Sequence, residues 1–342
     1  MSKKVLITGG TGYIGSHTAV ELLEKKYEVF IIDNLSNSHI SVLEGIKKIT
    51  SIEPHFDKID LTNKTAIEEY FEDHHDIDAI IHFAALKAVG ESVEKPLLYY
   101  YNNIVSLLNL LNCVVKYNIK YFVFSSSCTV YGEPDKLPIK ETAPIKPALS
   151  PYGNTKQIAE EIIHDLAKVN ENFSAIILRY FNPIGAHPSG YIGELPIGIP
   201  NNLVPYITQT VAGIRDVLKI FGDDYDTPDG TCIRDFIHVV DLAKAHIAAL
   251  ERLMNNKNET NFEIFNVGTG RGYSVMEIVH MFEKVNNVKV NYKIDDRRPG
   301  DVEKVWADTT KANKVLNWKA EYSIEQALRD AWNWEKKYRG IV

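Results

Sequence analysis

The chain has few cysteines and no long uncharged apolar run. Cys113, Cys128 and Cys232 are its only thiols among 342 residues. They lie too far apart for a CxxC metal or redox pair. Three thiols cannot all pair within one chain, so reduced cysteines and a cytoplasmic location are expected. No apolar stretch approaches the ~18 residues needed to span a bilayer. The opening run Val5-Leu6-Ile7 is too short for a signal peptide and leads directly to glycines. HExxH, GxxxxGK[ST] and EF-hand patterns are missing, so no metal is expected. An excess of positive charge is missing too. Lys and Arg total 38 against 45 Asp and Glu, a net charge of −7. That balance argues against nucleic acid or an anionic membrane as a general partner.

What is present describes a folded globular protein. Apolar residues make up 45% and charged residues 24%, which suits a buried core rather than disorder. The length suggests about two domains. Short apolar runs at 5–8, 29–32, 79–83, 121–124 and 175–178 read as buried strands. Helical patterns at 13–26, 104–117 and 155–169 separate them. This alternation predicts βαβ units and a doubly wound parallel α/β sheet covered on both faces. Near Pro183 glycine and proline become dense, which marks a loop or a boundary. Helical pattern returns at 203–213, 241–254, 274–285 and 323–338, with an exposed loop at 255–261. The apolar helix at 97–117 fits either a face buried on the sheet or a dimer face.

The segment Gly9-Gly10-Thr11-Gly12-Tyr13-Ile14-Gly15 follows a strand and opens a helix. It fits GxGxxG through Gly10, Gly12 and Gly15, and GxxGxxG through Gly9, Gly12 and Gly15. Glycines let the backbone turn tightly and approach a pyrophosphate, and the helix N-terminus supplies N–H donors. Asp33 ends the second strand, 18 residues after Gly15. A carboxylate at that spacing binds an adenosine ribose and repels a 2′-phosphate, which favours NAD.

Ser125-Ser126-Ser127 follows the strand at 121–124 and falls where ligands bind in a parallel sheet. Alone, a serine run reads equally as a turn or a cap. Ser150-Pro151 reads as a helix start, with Ser150 as N-cap. Tyr152 and Lys156 then share one helix face. An ammonium near a phenol favours the phenolate, as a general base requires. YxxxK is common by chance; joined to the glycine loop and the strand-end serine it points to a catalytic set of Ser127, Tyr152 and Lys156.

GGTGYIGSH at 9–17, SSSCTVYG at 125–132, YxxxK at 152–156 and RYFNPIGAHPSG at 179–190 together resemble the extended short-chain dehydrogenases. IPNNLVPYI at 199–207, RDFIHVVDLA at 234–243 and RRPGDVEKVWAD at 297–308 narrow the resemblance to the UDP-galactose 4-epimerase family. The resemblance covers nearly the whole chain. It implies a Rossmann-like doubly wound domain over 1–183, to which part of 232–265 returns. Residues 184–342 would then be mainly a smaller mixed α/β UDP-sugar-binding domain. It also implies a homodimer.

The resemblance assigns NAD contacts to Tyr13 and Ile14 in the loop, and to Asp33, Asn34 and Ser38 near the adenosine ribose. Asp60 and Leu61 match adenine contacts. Phe83, Ala84, Ala85, Lys87 and Asn102 match the segments flanking the cofactor, and Phe181 would pack beside the nicotinamide. On the sugar-nucleotide side it assigns Ser127, Asn182, Asn202, Leu203, Lys219, Phe221, Arg234, Arg298 and Asp301. Guanidinium donors suit a nucleotide diphosphate.

The implied reaction exchanges UDP-galactose and UDP-glucose. Tyr152 takes the 4-hydroxyl proton as hydride leaves C4, the 4-keto sugar rotates, and hydride returns to its other face. Val305 stands where hexose-restricted members carry tyrosine, so UDP-N-acetylhexosamines should also be accepted. Related 4,6-dehydratases place Asp-Glu after the strand-end residue. Here Cys128-Thr129 stands there instead, which counts against elimination. Another UDP-sugar-modifying dehydrogenase, such as a uronate epimerase, and an inactive NAD-sensing regulator are the alternative readings.

Overall fold

The computed structural model describes residues 2–298 and 301–341. Pro299 and Gly300 of the arginine-rich C-terminal motif lie outside the described residues, as do Met1 and Val342. Strands and helices alternate first as β1 (Lys4–Thr8), α1 (Tyr13–Glu24), β2 (Glu28–Asp33), α2 (Ser41–Thr50), β3 (His55–Lys58), α3 (Lys64–Asp73) and β4 (Ala79–His82). Next come α4 (Val89–Glu94), α5 (Pro96–Tyr100), α6 (Ser106–Lys116), β5 (Tyr121–Ser125), α7 (Pro151–Val169), β6 (Ser174–Tyr180) and β7 (Asn182–Ile184). The remainder holds α8 (Leu203–Val211), β8 (Leu218–Phe221), β9 (Ile233–Arg234), β10 (Phe236–His238), α9 (Val239–Met254) and β11 (Phe262–Val267). It ends with β12 (Tyr273–Ser274), α10 (Val275–Asn286), β13 (Tyr292–Asp295), β14 (Lys304–Val305), α11 (Thr310–Val315) and α12 (Ile324–Arg339).

Seven strands form one sheet in the order β11-β6-β5-β4-β1-β2-β3. Every pairing in it is parallel. The apolar strands are buried on both faces, as helical crossovers require. One core holds Val5, Ile7, Ile31 and Ile81 under α1 and α9. The other holds Leu6, Ile80, Phe122 and Ile177 under α3, α6 and α7. The strand order reverses at β1 and β4, which opens a crevice beyond their carboxyl ends.

The later elements divide between two places. β11 completes the large sheet beside β6, and Ala312, Leu316 and Trp318 lie in the core under α1. A separate core joins α8, α10 and α12 through Val204, Ile207, Ile278, Phe282 and Leu328. The short strands β9, β12 and β14 form a small sheet, and β8 pairs with β13.

One feature differs from the sequence pattern. Residues 97–117 read as one helix, but a π-helical turn at Tyr101–Val105 interrupts them. Its neighbours are still helical, so apolar periodicity alone does not disclose it. The segment buries one face on the sheet and exposes another. Leu107, Leu110 and Val114 face the sheet, while Leu97 is 82% exposed and Tyr101 60% exposed.

Candidate active site

The glycine loop is shaped by close approach. Gly9 has φ of +70°, and a Cβ there would stand 2.8 Å from the Ala84 nitrogen. A Cβ on Gly10 would meet Ile31 Cγ2 at 2.7 Å, and one on Gly15 would collide with the Gly9 carbonyl. Gly12 is the N-cap of α1, and no side chain caps the helix. Its first N–H groups are thus available to an anion. Asp33 ends β2 with its carboxylate held in place. It accepts from Thr11 N at 3.2 Å, Leu35 N at 2.9 Å and Ser38 Oγ at 3.0 Å. Asp60 accepts from Asn34 Nδ2 at 3.1 Å.

A cleft of about 230 Å³ runs along this loop. Gly9, Gly12, Tyr13, Ile14 and Gly15 form its floor, with Asp33, Asn34 and Ser38 at one end. Asp60, Leu61, Phe83, Ala84, Ala85 and Lys87 line it as well. Asn102, in the π-helical turn, and Tyr152, Lys156 and Asn202 reach it from other elements. A glycine cradle that any Cβ would fill, an uncapped helix start and a fixed carboxylate suit a dinucleotide. These residues fit NAD.

Ser150 caps α7 by accepting from Gly153 N at 3.1 Å, and Pro151 occupies the first turn. Tyr152 and Lys156 are both buried on the same face. The Lys156 ammonium donates to the Ser125 carbonyl at 2.7 Å and lies 4.7 Å from the Phe124 ring centre. Burial pulls Lys156 from 10.5 down to about 8, opposed by the Glu160 charge. Burial pushes Tyr152 well above the ordinary phenol value, and neighbouring Tyr180 adds to this; the Ser127 hydroxyl acts in the opposite direction. Without a ligand, then, desolvation outweighs the expected help from the lysine, whose charge is directed to a backbone carbonyl. Ser127 is not in the cleft wall. It caps the short turn Cys128–Tyr131, accepting from Thr129 N at 3.2 Å.

The remaining residues lie on several other elements. Lys219 and Phe221 share the exposed side of β8. Lys219 pairs with Asp295 at 2.8 Å, and Arg298 lies 5.5 Å from the Phe221 ring centre. Arg234 and Arg298 share Asp301, at 3.6 and 2.7 Å. Both arginines therefore have the same carboxylate partner. Asn182 opens β7, and Leu203 opens α8. Phe181 and Val305 lie outside the cleft wall, in one apolar cluster with Val130, Tyr131 and Ile139.

The cleft also contains residues that the motifs did not single out. Ser106 stands four residues after Asn102, a helical spacing from which it could have been found. Tyr180, which precedes Phe181, also lines the cleft. Glu194 carried no sequence signal. It accepts from Asn202 Nδ2 at 2.6 Å and pairs with Lys87 at 3.5 Å.

Fold and cleft define a doubly wound α/β protein with a dinucleotide loop and a tyrosine–lysine pair on one helix face. The family model described as GDP-mannose 4,6 dehydratase matches residues 6–331. UDP-glucose 4-epimerase 2 of Arabidopsis thaliana is 51% identical over 337 residues, covering 98% of this chain and 95% of that protein. UDP-glucose 4-epimerase of Bacillus subtilis is 50% identical over 331 residues, covering 97% and 96%. The crystal structure of UDP-glucose 4-epimerase from Bifidobacterium longum in complex with NAD+ and UDP is 44% identical, with a TM-score of 0.95. The match covers 99% of this chain and 100% of that one. The chain belongs to the extended short-chain dehydrogenase family, in its UDP-glucose 4-epimerase branch.

Proposed function

We propose that this chain interconverts UDP-galactose and UDP-glucose with NAD as resident cofactor. The observation that carries this is the placement of Tyr152 and Lys156 on one buried helix face, in the cleft formed by the glycine loop. Epimerases half identical to it over nearly its whole length support the substrate, and a similar structure binds NAD+ and UDP. Tyr152 takes the proton of the sugar 4-hydroxyl and later returns it. Ser127 hydrogen-bonds the same oxygen. Lys156, anchored on Ser125, orients the nicotinamide ribose. When bound, NAD supplies a hydride acceptor and donor for sugar C4 and a positive charge beside the phenol. Arg234 and Arg298 hold the diphosphate, so the hexose alone is free to turn.

In this reading residues 1–183 and part of 232–265 hold NAD, and 184–342 mainly hold the UDP-sugar. The position of β11 in the large sheet supports the return of that segment. The protein acts in the cytoplasm as a homodimer. The exposed Leu97 and Tyr101 favour pairing through α5 and the π-helical turn that follows it. We infer that UDP-N-acetylhexosamines are further substrates, because Val305 is smaller than the tyrosine of hexose-restricted members. Cys128-Thr129, in place of two carboxylates, disfavours elimination of water.

The test is NMR of the purified protein with UDP-galactose, first without added NAD. Formation of UDP-glucose to a constant ratio supports the reading, and the N-acetylated pair then tests Val305. Silence with NAD added overturns it.

A further inference from the structure

Tyr152, Lys156 and Glu160 follow at four-residue intervals along α7, and all three are buried. The function above uses the first two and leaves Glu160 unexplained. Its carboxylate is fully engaged. Ser126 Oγ donates to Oε1 at 2.5 Å. Arg179 on β6 donates through Nε to Oε1 at 3.0 Å and through Nη2 to Oε2 at 2.5 Å. A buried ion pair is weak evidence of stability, because apolar residues of the same volume often serve better. A carboxylate bonded through both oxygens does restrict geometry, although Arg179 Nη1 is buried without a hydrogen-bond partner.

Two α7 side chains thereby hold consecutive residues at the end of β5. Lys156 takes the Ser125 carbonyl, and Glu160 takes the Ser126 hydroxyl. Ser127 comes next. The network continues outward. The Arg179 guanidinium lies 4.8 Å from the Tyr131 ring centre. Tyr131 donates to Asn266 Oδ1 at 2.7 Å, and Asn266 Nδ2 donates to the Ile139 carbonyl at 2.9 Å. Ile139 N donates to the carbonyl of Trp306, beside Val305, at 2.9 Å. One buried chain of contacts joins the helix of Tyr152 to the strand of Val305.

We propose that Glu160 is a positioning residue. Clamped by Arg179, it sets where Ser127 stands relative to Tyr152 and places a negative charge one helical turn from Lys156. This rests on the roles given above to Ser127, Tyr152 and Lys156. The other groups around this face are neutral near pH 7. His82 of β4 is pulled down to about 3, and Cys128 and Tyr180 are pushed up to about 12. Tyr131 is also pushed to about 12, and burial raises Tyr99 and Tyr152. The Glu160 carboxylate, held by Arg179, is therefore the charge that Lys156 meets.

The experiment compares Glu160→Gln with Glu160→Asp. Glutamine still accepts from Ser126 but has no charge. Aspartate keeps the charge but falls short of Ser126. Turnover of UDP-galactose is followed against pH, and amide hydrogen exchange is measured at residues 125–127. In Glu160→Gln the alkaline limb of kcat, set by loss of the Lys156 proton, moves down by about one pH unit. KM stays within about two-fold. In Glu160→Asp the limb stays in place and exchange at 125–127 rises. An unmoved limb with unchanged exchange in folded variants overturns the proposal. So does a uniform loss of activity that only follows a lowered melting temperature. If Glu160→Gln fails to fold, the double variant with Arg179→Met removes the stranded guanidinium and carries the same measurements. A wild-type protein silent on UDP-galactose would defeat the functional reading, while the exchange arm still decides the clamp.

Discussion

The Lys156 ammonium donates to the Ser125 carbonyl oxygen at 2.7 Å. A lysine on the catalytic helix is thus tied to the end of the neighbouring strand. Both groups are buried, and the contact joins the helix that carries Tyr152 to the strand that leads into Ser127.

That burial has a pH signature. Lys156 sits at about 8 in the fold against 10.5 when unfolded. Below pH 8 it is protonated in both states, and the fold carries the full cost of desolvation. Between 8 and 10.5 the folded protein releases the proton first, so stability rises with pH. The stability of the wild type relative to Lys156→Met should therefore climb by about 3 kcal/mol across that window. Urea titrations of cofactor-free protein at several pH values measure this. A flat difference would show that Lys156 is not desolvated as described.

Tyr152→Phe removes the proton acceptor and keeps the ring. Turnover should fall by about 10²–10⁴-fold, the usual contribution of a general base. Bound NAD, read by absorbance after denaturation, should remain. Retained turnover would exclude Tyr152 as the base.

Asp33 meets Thr11, Leu35 and Ser38 through its two oxygens. Asp33→Asn keeps the shape and removes the charge. Hydrogen bonds to a charged group contribute about 1.5–3 kcal/mol, so NAD affinity should fall by about ten-fold or more. The preference over NADP should narrow as well. Calorimetry on cofactor-stripped protein with both dinucleotides checks this.

Leu97 is 82% exposed and Leu108 42% exposed, on the side of the helical segment opposite the sheet core. Sedimentation should show a dimer for the wild type and a monomer for the Leu97→Glu, Leu108→Glu double variant. An unchanged dimer would move the interface elsewhere.

Parts of the site were legible because local rules act over short spacings. The strand at 5–8, the glycines at 9–15 and the carboxylate at 33 required only residue order. Ser150-Pro151 announced the start of α7, and its cap bond is present. Other parts involve partners far apart in the chain. Glu194 meets Lys87 across more than a hundred residues. Arg234, Arg298 and Asp301 meet across the small sheet. β9, β12 and β14 have two residues each and show no period that a sequence can display.

By itself, then, the sequence determined the parallel α/β plan, the dinucleotide loop and the four-residue spacing of Tyr152 and Lys156. Apolar period, glycine geometry and helical pitch are properties of neighbouring residues, and residue order alone carries them. Only the tertiary structure decided the electrostatic state of the site. Burial turned Tyr152 upward and Lys156 downward, sent the ammonium to Ser125, and brought Glu160 and Arg179 together. Desolvation depends on everything packed around a group, and that packing is assembled from segments distant in sequence.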